Sequence, residues 1–371
     1  MLKPESNPQE LSEDSLLPPV QTLLGQQVSI TSWKVQALNE QLGDGTAGMY
    51  RYSGVAISEA EEHNWSIYLK IAVPDGNTDE SDWNYWKREA EVYASDILQN
   101  LPEGLRAPRY LGQDIQNDGS LWLWLEDAES SQVDWSLERF YFAARQLGRF
   151  NGSYLVTKPL PDYLWIGRDW LRGWVEENKD AIALLKQHQD HPVVQLHYPP
   201  ENAQSIFEIW EERHRYYDIL QSLPQTLCHM DYYSENLLKS STNSQFTVLD
   251  WAFLSYGAIG EELAALVTAS LGFRRLDWKQ AHALETRALA GYLEGLRDVG
   301  WEGDASLVFK GYAAASAIRF GMGVVRLLLP QFLEPEFDPD GRHHLGISNR
   351  EAFQFWAKKN RELNSRLAKE V

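Results

Sequence analysis

The hydrophobic period changes near Ser130, and this change constrains the fold more than any other feature of the sequence. Before it, apolar residues tend to alternate; after it, they recur every three to four residues. "WSIYLKIAV" is the clearest alternating run. Trp65, Ile67, Leu69, Ile71 and Val73 fall on one face of an extended chain, and Ser66, Tyr68, Lys70 and Ala72 on the other. The pattern predicts a strand with one buried face and a lysine projecting from the opposite one. "SLERFYFAARQLGRFNGSYL" instead puts Leu137, Phe140, Ala144, Leu147 and Phe150 on one helical stripe. Helical patterns continue to the C-terminus except from about Leu223 to Trp251, where "QTLCHMD" and "SQFTVLDWA" read as short strands around turns. A strand-rich first third and a helix-rich remainder predict an α+β chain of two lobes with a cleft between them. The expected divisions are a loosely held arm over residues 1–26, a first lobe over 27–128 and a second over 129–371.

Two further elements follow from local pattern. "SDWNYWKREAEVYASDILQNL" spaces Trp83, Trp86, Ala90, Tyr93 and Ile97 as a helix does, with Ser81 or Asp82 as its N-cap. "SLWLWLEDAE" reads as a buried strand ending in an acidic turn. The 371 residues, 43% of them hydrophobic, supply enough apolar material for such cores.

Charge and cysteine usage exclude several classes. A net charge of −19 argues against nucleic acid as a main partner and fits a cationic ligand. Cys228 is the single cysteine, so no disulfide forms within the chain and no CxxC metal site exists. The N-terminus has neither a basic nor an apolar signal region, and no apolar run approaches the ~20 residues of a membrane span. The expectation is a cytoplasmic protein with no membrane partner.

Five features then point to phosphate chemistry. "LGDGTAGMYRYSGVA" holds Gly43-x-Gly45-x-x-Gly48. A strand pattern follows it where a dinucleotide fold would have a helix, which favours a hairpin folded over phosphates; an ordinary glycine turn would look the same. Lys70, mid-strand, can reach those phosphates as a point charge. Glu89, in the helix that follows, can fix the direction of Lys70 by an ion pair. Glu91 lies roughly 200° further around that helix, so the two glutamates cannot face the same way. "CHMDYYSENLLKS" contains His229-x-Asp231 and, five residues on, Asn236. Phosphoryl transfer to a hydroxyl needs a carboxylate to orient the oxygen and take its proton, and an oxygen ligand for the metal on the phosphates. Asp231 and Asn236 supply these; His229 braces the loop, and Leu237 and Leu238 anchor its end in a strand. Finally, "FTVLDWAFLSYGAIGEEL" ends an apolar strand in Asp250, placed as a second Mg²⁺ ligand.

With these segments the chain resembles the aminoglycoside phosphotransferase family of small-molecule kinases from about Gly43 to Leu263. "HMDYYSEN", "VLDW", "YLK" and "KREA" carry the likeness, and "LGRFNGSYL" and "YGAIGEELAALV" resemble segments flanking the site. The resemblance implies a bilobal protein-kinase-like fold, with a small β-rich N-lobe and a larger, mainly helical C-lobe. It implies ATP and Mg²⁺ as cofactors and transfer of the γ-phosphate to a hydroxyl of a small molecule. Asp231 would be the base, Asn236 and Asp250 the metal ligands, and Lys70 a phosphate contact; backbone groups near Glu126, Asp127 and Ala128 would meet the adenine. There are departures. Met230 stands where the family has glycine, Ser234-Glu235 where it has Pro-Gly, and Glu262 where Asp is usual; Tyr232 and Tyr233 are also bulkier than usual. They put the substrate end of the loop in question and leave a nucleotide-binding regulatory module without turnover as the alternative. A protein kinase is disfavoured, because "LDWAFLSYG" replaces the Asp-Phe-Gly to Ala-Pro-Glu activation segment.

The acceptor is less legible. Acid- and aromatic-rich stretches, "WVEENKD", "IWEERHRYYD" and "FLEPEFDPD", together with the net charge, point to an amino-group-bearing alcohol such as an aminoglycoside, an amino sugar or a choline-like compound. Solvated helix faces would carry the same residues. Arg319 and Arg326, on "SAIRFGMGVVRLLL", are placed either to meet a substrate anion or to pair with acids. "DPDGRHHLG", with His343 and His344, reads as a surface loop.

Overall fold

The alternating runs of the first third form an antiparallel sheet in the computed structural model. The structure describes residues 8–39, 46–59, 61–74, 79–128, 134–239, 245–272, 275–322, 325–341, 348 and 350–351. The chain divides into two compact units: residues 1–132 with 238–254, and residues 133–237 with 255–371. Gly43, Gly45, His343 and His344 lie outside the described residues.

In the first unit, helix α1 (Glu13–Leu24) precedes strands β1 (Ser29–Asn39), β2 (Thr46–Ser58) and β3 (Glu61–Ala72). Helix α2 (Arg88–Ala94) follows, then β4 (Leu105–Arg106), β5 (Tyr110–Ile115) and β6 (Leu121–Glu126). The sheet order is β1-β2-β3-β6-β5. Trp65, Ile67, Leu69, Ile71 and Val73 are buried, and the residues between them are only half-buried, as a period of two requires. Later in the chain come β7 (Gln225–Cys228), β8 (Leu237–Lys239), β9 (Phe246–Val248) and β10 (Ser255–Ala258). β4, β9 and β8 make a second, three-stranded sheet, with β4 parallel to β9.

Two local expectations need correction. Residues 13–24 are a helix rather than a loose arm. Leu16 and Val20 are fully buried in the core formed with Tyr52, Ile67, Leu69 and Trp124. Pro18 and Pro19 each remove a helical donor, but burying this apolar face offsets that loss, and Gly25, at φ 69°, ends the helix. The helix around Glu89 begins at Arg88, not at Ser81. The segment before it is a run of turns, because Asp79 accepts from the Ser81 N–H at 2.9 Å and Arg88 turns its guanidinium back onto the carbonyls of Asp82 and Trp83.

The second unit is mainly helical. It contains α3 (Leu137–Val156), α4 (Trp170–Glu176), α5 (Lys179–Gln187), α6 (Pro192–His197) and α7 (Pro200–Ser222). β7 and β10 pair antiparallel. A π-helical stretch, Ala265–Ala269, leads into the short α8 (Ser270–Gly272), and α9 (Ala281–Asp298) follows. α10 (Ala305–Ala315) passes through a second π-helical stretch, Ser316–Met322, towards α11 (Val325–Phe332). Ser136 caps α3, its hydroxyl accepting from the Arg139 N–H, and Phe140, Ala144, Leu147 and Phe150 are buried. Burying each of Phe140, Leu147 and Phe150 stabilises the fold by roughly 1.5–3 kcal/mol. α3 and α9 pack so closely that a Cβ at Gly295 would overlap the Arg145 carbonyl oxygen, and one at Gly148 would overlap that of Tyr292. The span Ala305–Phe332 is apolar and long enough to cross a membrane, contrary to the reading of the sequence. However, 81% of its apolar window is buried inside the protein, as in a core helix.

Candidate active site

Within the first unit, β3 and α2 bring Lys70 and Glu89 together. The Lys70 ammonium lies 2.5 Å from the Glu89 carboxylate and 3.0 Å from Asp250 Oδ1. Glu89 is buried and Glu91 only half-buried, and Glu89, on the packed face marked by Trp86, Ala90 and Tyr93, is the one that the strand lysine meets. Burial works against the ammonium, but Asp250 and Glu89 outweigh it and hold the Lys70 pKa above its ordinary value. Asp250 follows β9 in a left-handed conformation, φ 59°, which Asp tolerates better than most side chains. The next residue, Trp251, donates its backbone N–H to Glu89, so lysine, helix glutamate and strand-end aspartate form one network.

Gly48 lies inside β2, at an irregularity where the register to β3 shifts between Thr46 and Gly48. The side chains at the expected hinge have structural partners. Glu126 accepts from Arg106 Nη1 at 2.8 Å and from the Arg109 N–H at 2.9 Å. Asp127 pairs with Arg51 at 2.5 Å and accepts from the Ser66 hydroxyl at 2.6 Å. Ala128 is buried beside them in sequence.

In the second unit, β7 delivers the segment from His229 to Asn236. His229 is fully buried, and its Nδ1 accepts from the Asp231 N–H at 3.1 Å, so it braces the turn. The Asp231 carboxylate is held on both oxygens. Arg319 Nη2 donates to Oδ1 at 2.9 Å, and Asn236 Nδ2 donates to Oδ2 at 3.0 Å and to the Asp231 carbonyl at 3.0 Å. With its NH₂ group committed to Asp231, Asn236 keeps its amide oxygen for another partner. Asp250 likewise carries carboxylate oxygen. These are hard oxygen donors of the class Mg²⁺ takes, so each residue fits the metal role expected of it.

Met230, between His229 and Asp231, is buried and left-handed, with φ 66°. This is why a glycine suits the position: Met230 carries a Cβ penalty of about 1–2 kcal/mol that glycine avoids. Two side chains, Glu262 and Arg319, hold the strained turn. Glu262 accepts from the N–H groups of His229, at 2.8 Å, and Met230, at 3.1 Å, and from Asn151 Nδ2 at 3.1 Å. Arg319 donates to the Met230 carbonyl from the other side. Burial raises the carboxyls of Glu261 and Glu262 to about 7. Burial also pulls the Arg319 guanidinium below its ordinary pKa, with Asp231 opposing; an arginine stays charged at neutral pH. Glu235 forms a two-pronged pair with Arg275, both contacts at 2.6 Å, and so ties down the position where the family has Pro-Gly.

The profile of the phosphotransferase enzyme family (APH) matches residues 79–302, more than half of the chain. The chain belongs to this family. It is an enzyme of the small-molecule phosphotransferase class, with the α+β, kinase-like fold. Among solved structures it is similar to amicoumacin kinase hAmiN in complex with AMP-PNP, Ca²⁺ and amicoumacin (14% identity, 96% of this chain and 94% of that one, TM-score 0.55). It is also similar to choline kinase from Cryptosporidium parvum Iowa II (11% identity, 91% and 90%, TM-score 0.56). A third is an aminoglycoside phosphotransferase from Alicyclobacillus acidocaldarius (12% identity, 92% of each chain, TM-score 0.51). No curated protein sequence matches.

Against the family pattern, the residue that the sequence left open is Arg319. The sequence allowed it either a substrate anion or an acid. It meets an acid, Asp231 itself, and no spacing rule relates two residues 88 positions apart. Arg326 also pairs with an acid, Glu177, at 2.8 Å.

Proposed function

We propose that this phosphotransferase transfers the γ-phosphate of ATP, with Mg²⁺, to a hydroxyl of a small molecule. The observation that carries the reading is the Asp231 carboxylate, oriented by Asn236 and Arg319 on a turn that Glu262 and His229 brace. A carboxylate fixed in this way can accept a hydrogen bond from an acceptor hydroxyl and take its proton as the oxygen bonds to phosphorus. The bond from the γ-phosphorus to its bridging oxygen breaks, and ADP leaves with that electron pair. Lys70, aimed by Glu89, would neutralise phosphate charge, and backbone near Glu126 to Ala128 would meet the adenine. Asn236 and Asp250 would hold Mg²⁺, which supplies electrostatic clamping of the phosphates when bound. Use of ATP is consistent with a cytoplasmic setting.

For the acceptor we infer an amino-group-bearing alcohol. The net charge of −19 supports it, as do the kinases of choline and of aminoglycoside-type compounds among the structural neighbours. The acid-rich helices support it less, because several of their carboxylates are already paired: Glu176 with Arg213 at 2.8 Å and Glu177 with Arg326 at 2.8 Å. Asp231→Ala should lower kcat by roughly 10²–10⁴ while leaving nucleotide affinity intact. Turnover equal to wild type would remove Asp231 from the role of base.

A further inference from the structure

We propose that Arg319 is a positioning residue of the phosphotransfer site: its guanidinium ties the Met230 carbonyl to the Asp231 carboxylate and so holds the left-handed turn that aims the base. The inference rests on the reading of Asp231 as base. Its physical grounds are separate. A methionine at φ 66° tends to relax towards right-handed or extended backbone, and such a relaxation would turn the Asp231 side chain away. Glu262 restrains the two N–H groups on one side of this turn. A restraint on the carbonyl side needs a donor, and Arg319 supplies it with Nη1 while Nη2 holds Asp231 Oδ1. One planar guanidinium thus fixes the relation between the peptide before the base and the base itself, which a single-point ammonium cannot do as well.

Arg319 is itself held firmly. It stacks over Trp170 at 4.6 Å and Phe320 at 5.0 Å, and it is buried. It projects from the π-helical stretch Ser316–Met322, and such local widening of a helix is frequent at functional sites. The departure at position 230 and the arginine on this distant helix are therefore one device: the arginine supplies the restraint that a strained, non-glycine turn requires.

The test uses the full-length protein and two readouts. The first is hydrogen exchange over residues 228–237, where the N–H groups of His229, Met230, Asp231, Tyr233 and Asn236 all have acceptors within the protein. In Arg319→Gln these amides should exchange about tenfold faster or more, while those of α3 keep wild-type rates. Arg319→Lys, which keeps the charge but not the fork, should recover part of the protection. The second is phosphate release from Mg·ATP with water as acceptor. Its kcat should fall roughly 10- to 100-fold in Arg319→Gln at an unchanged KM for ATP, the pattern of a misaimed group. Wild-type exchange in the loop of Arg319→Gln overturns the proposal. So does faster exchange throughout α3 as well, which would make Arg319 a support of the whole unit. Where transfer to water is too slow to measure, the exchange result decides alone. Asp231→Asn separates the two ideas: phosphate release that survives it removes the base reading, while the exchange result still judges the clamp.

Discussion

Glu262→Gln should change the pH dependence of stability by a calculable amount. Burial raises the Glu262 carboxyl from 4.5 to about 7. Below about pH 4.5 the group is protonated in the folded and unfolded states alike. Between there and pH 7 the unfolded chain ionises it and the folded protein does not, so the unfolded state binds fewer protons and stability falls as pH rises. A tenfold difference in proton affinity between the two states corresponds to about 1.4 kcal/mol, so the full loss is about 3 kcal/mol and is complete above about pH 7. Glutamine cannot titrate. It also places an NH₂ group near the donors that Glu262 now receives, a penalty that does not vary with pH. Urea denaturation of both proteins from about pH 5 to about pH 8 should therefore show the variant gaining on wild type by about 2.5 kcal/mol across the range, the rest of the loss having occurred below about pH 5. Parallel profiles would refute the reasoning, since they would mean that the buried carboxyl ionises no less readily folded than unfolded.

Three other outcomes are expected. Asp250→Ala should weaken Mg²⁺-dependent nucleotide binding, measured by calorimetry with and without the ion; equal Mg·ATP affinity in variant and wild type would end its assignment as a metal ligand. Gly295→Ala should destabilise by roughly 1–3 kcal/mol in urea, because the new methyl overlaps the Arg145 carbonyl and forces α3 and α9 apart; a neutral result would contradict that close packing. The Cys228 thiol is fully buried and burial pushes its pKa up, so a thiol reagent should label it only as the protein unfolds, and fast labelling of native protein would contradict that burial.

The residues that the sequence announced are those whose geometry follows from a period. Alternation in β3 put Lys70 on the face opposite the core, and the helical spacing of Trp86, Ala90 and Tyr93 put the packed face close to Glu89, its partner. The spacing from His229 to Asn236 outlined a loop that indeed bonds to itself. Other features have no local signature. α1 carries two prolines, and only burial against the sheet makes it a helix. The late start of α2 depends on where one guanidinium turns. Arg319 reaches Asp231 through tertiary packing, and the left-handed backbone of Met230 is visible only once the turn is built. The sequence did mark Met230 and Glu262 as departures; the structure supplies what each one touches.

The most direct test of the central claim is Mg·ATP-dependent transfer of a labelled γ-phosphate across a panel of hydroxylated amines, sugars and amino acids. The account predicts a labelled phosphoester with wild-type protein on at least one amine-bearing alcohol, lost in Asp231→Ala. Tight Mg·ATP binding with no transfer to any member of the panel or to water, or transfer that Asp231→Ala leaves intact, would contradict it.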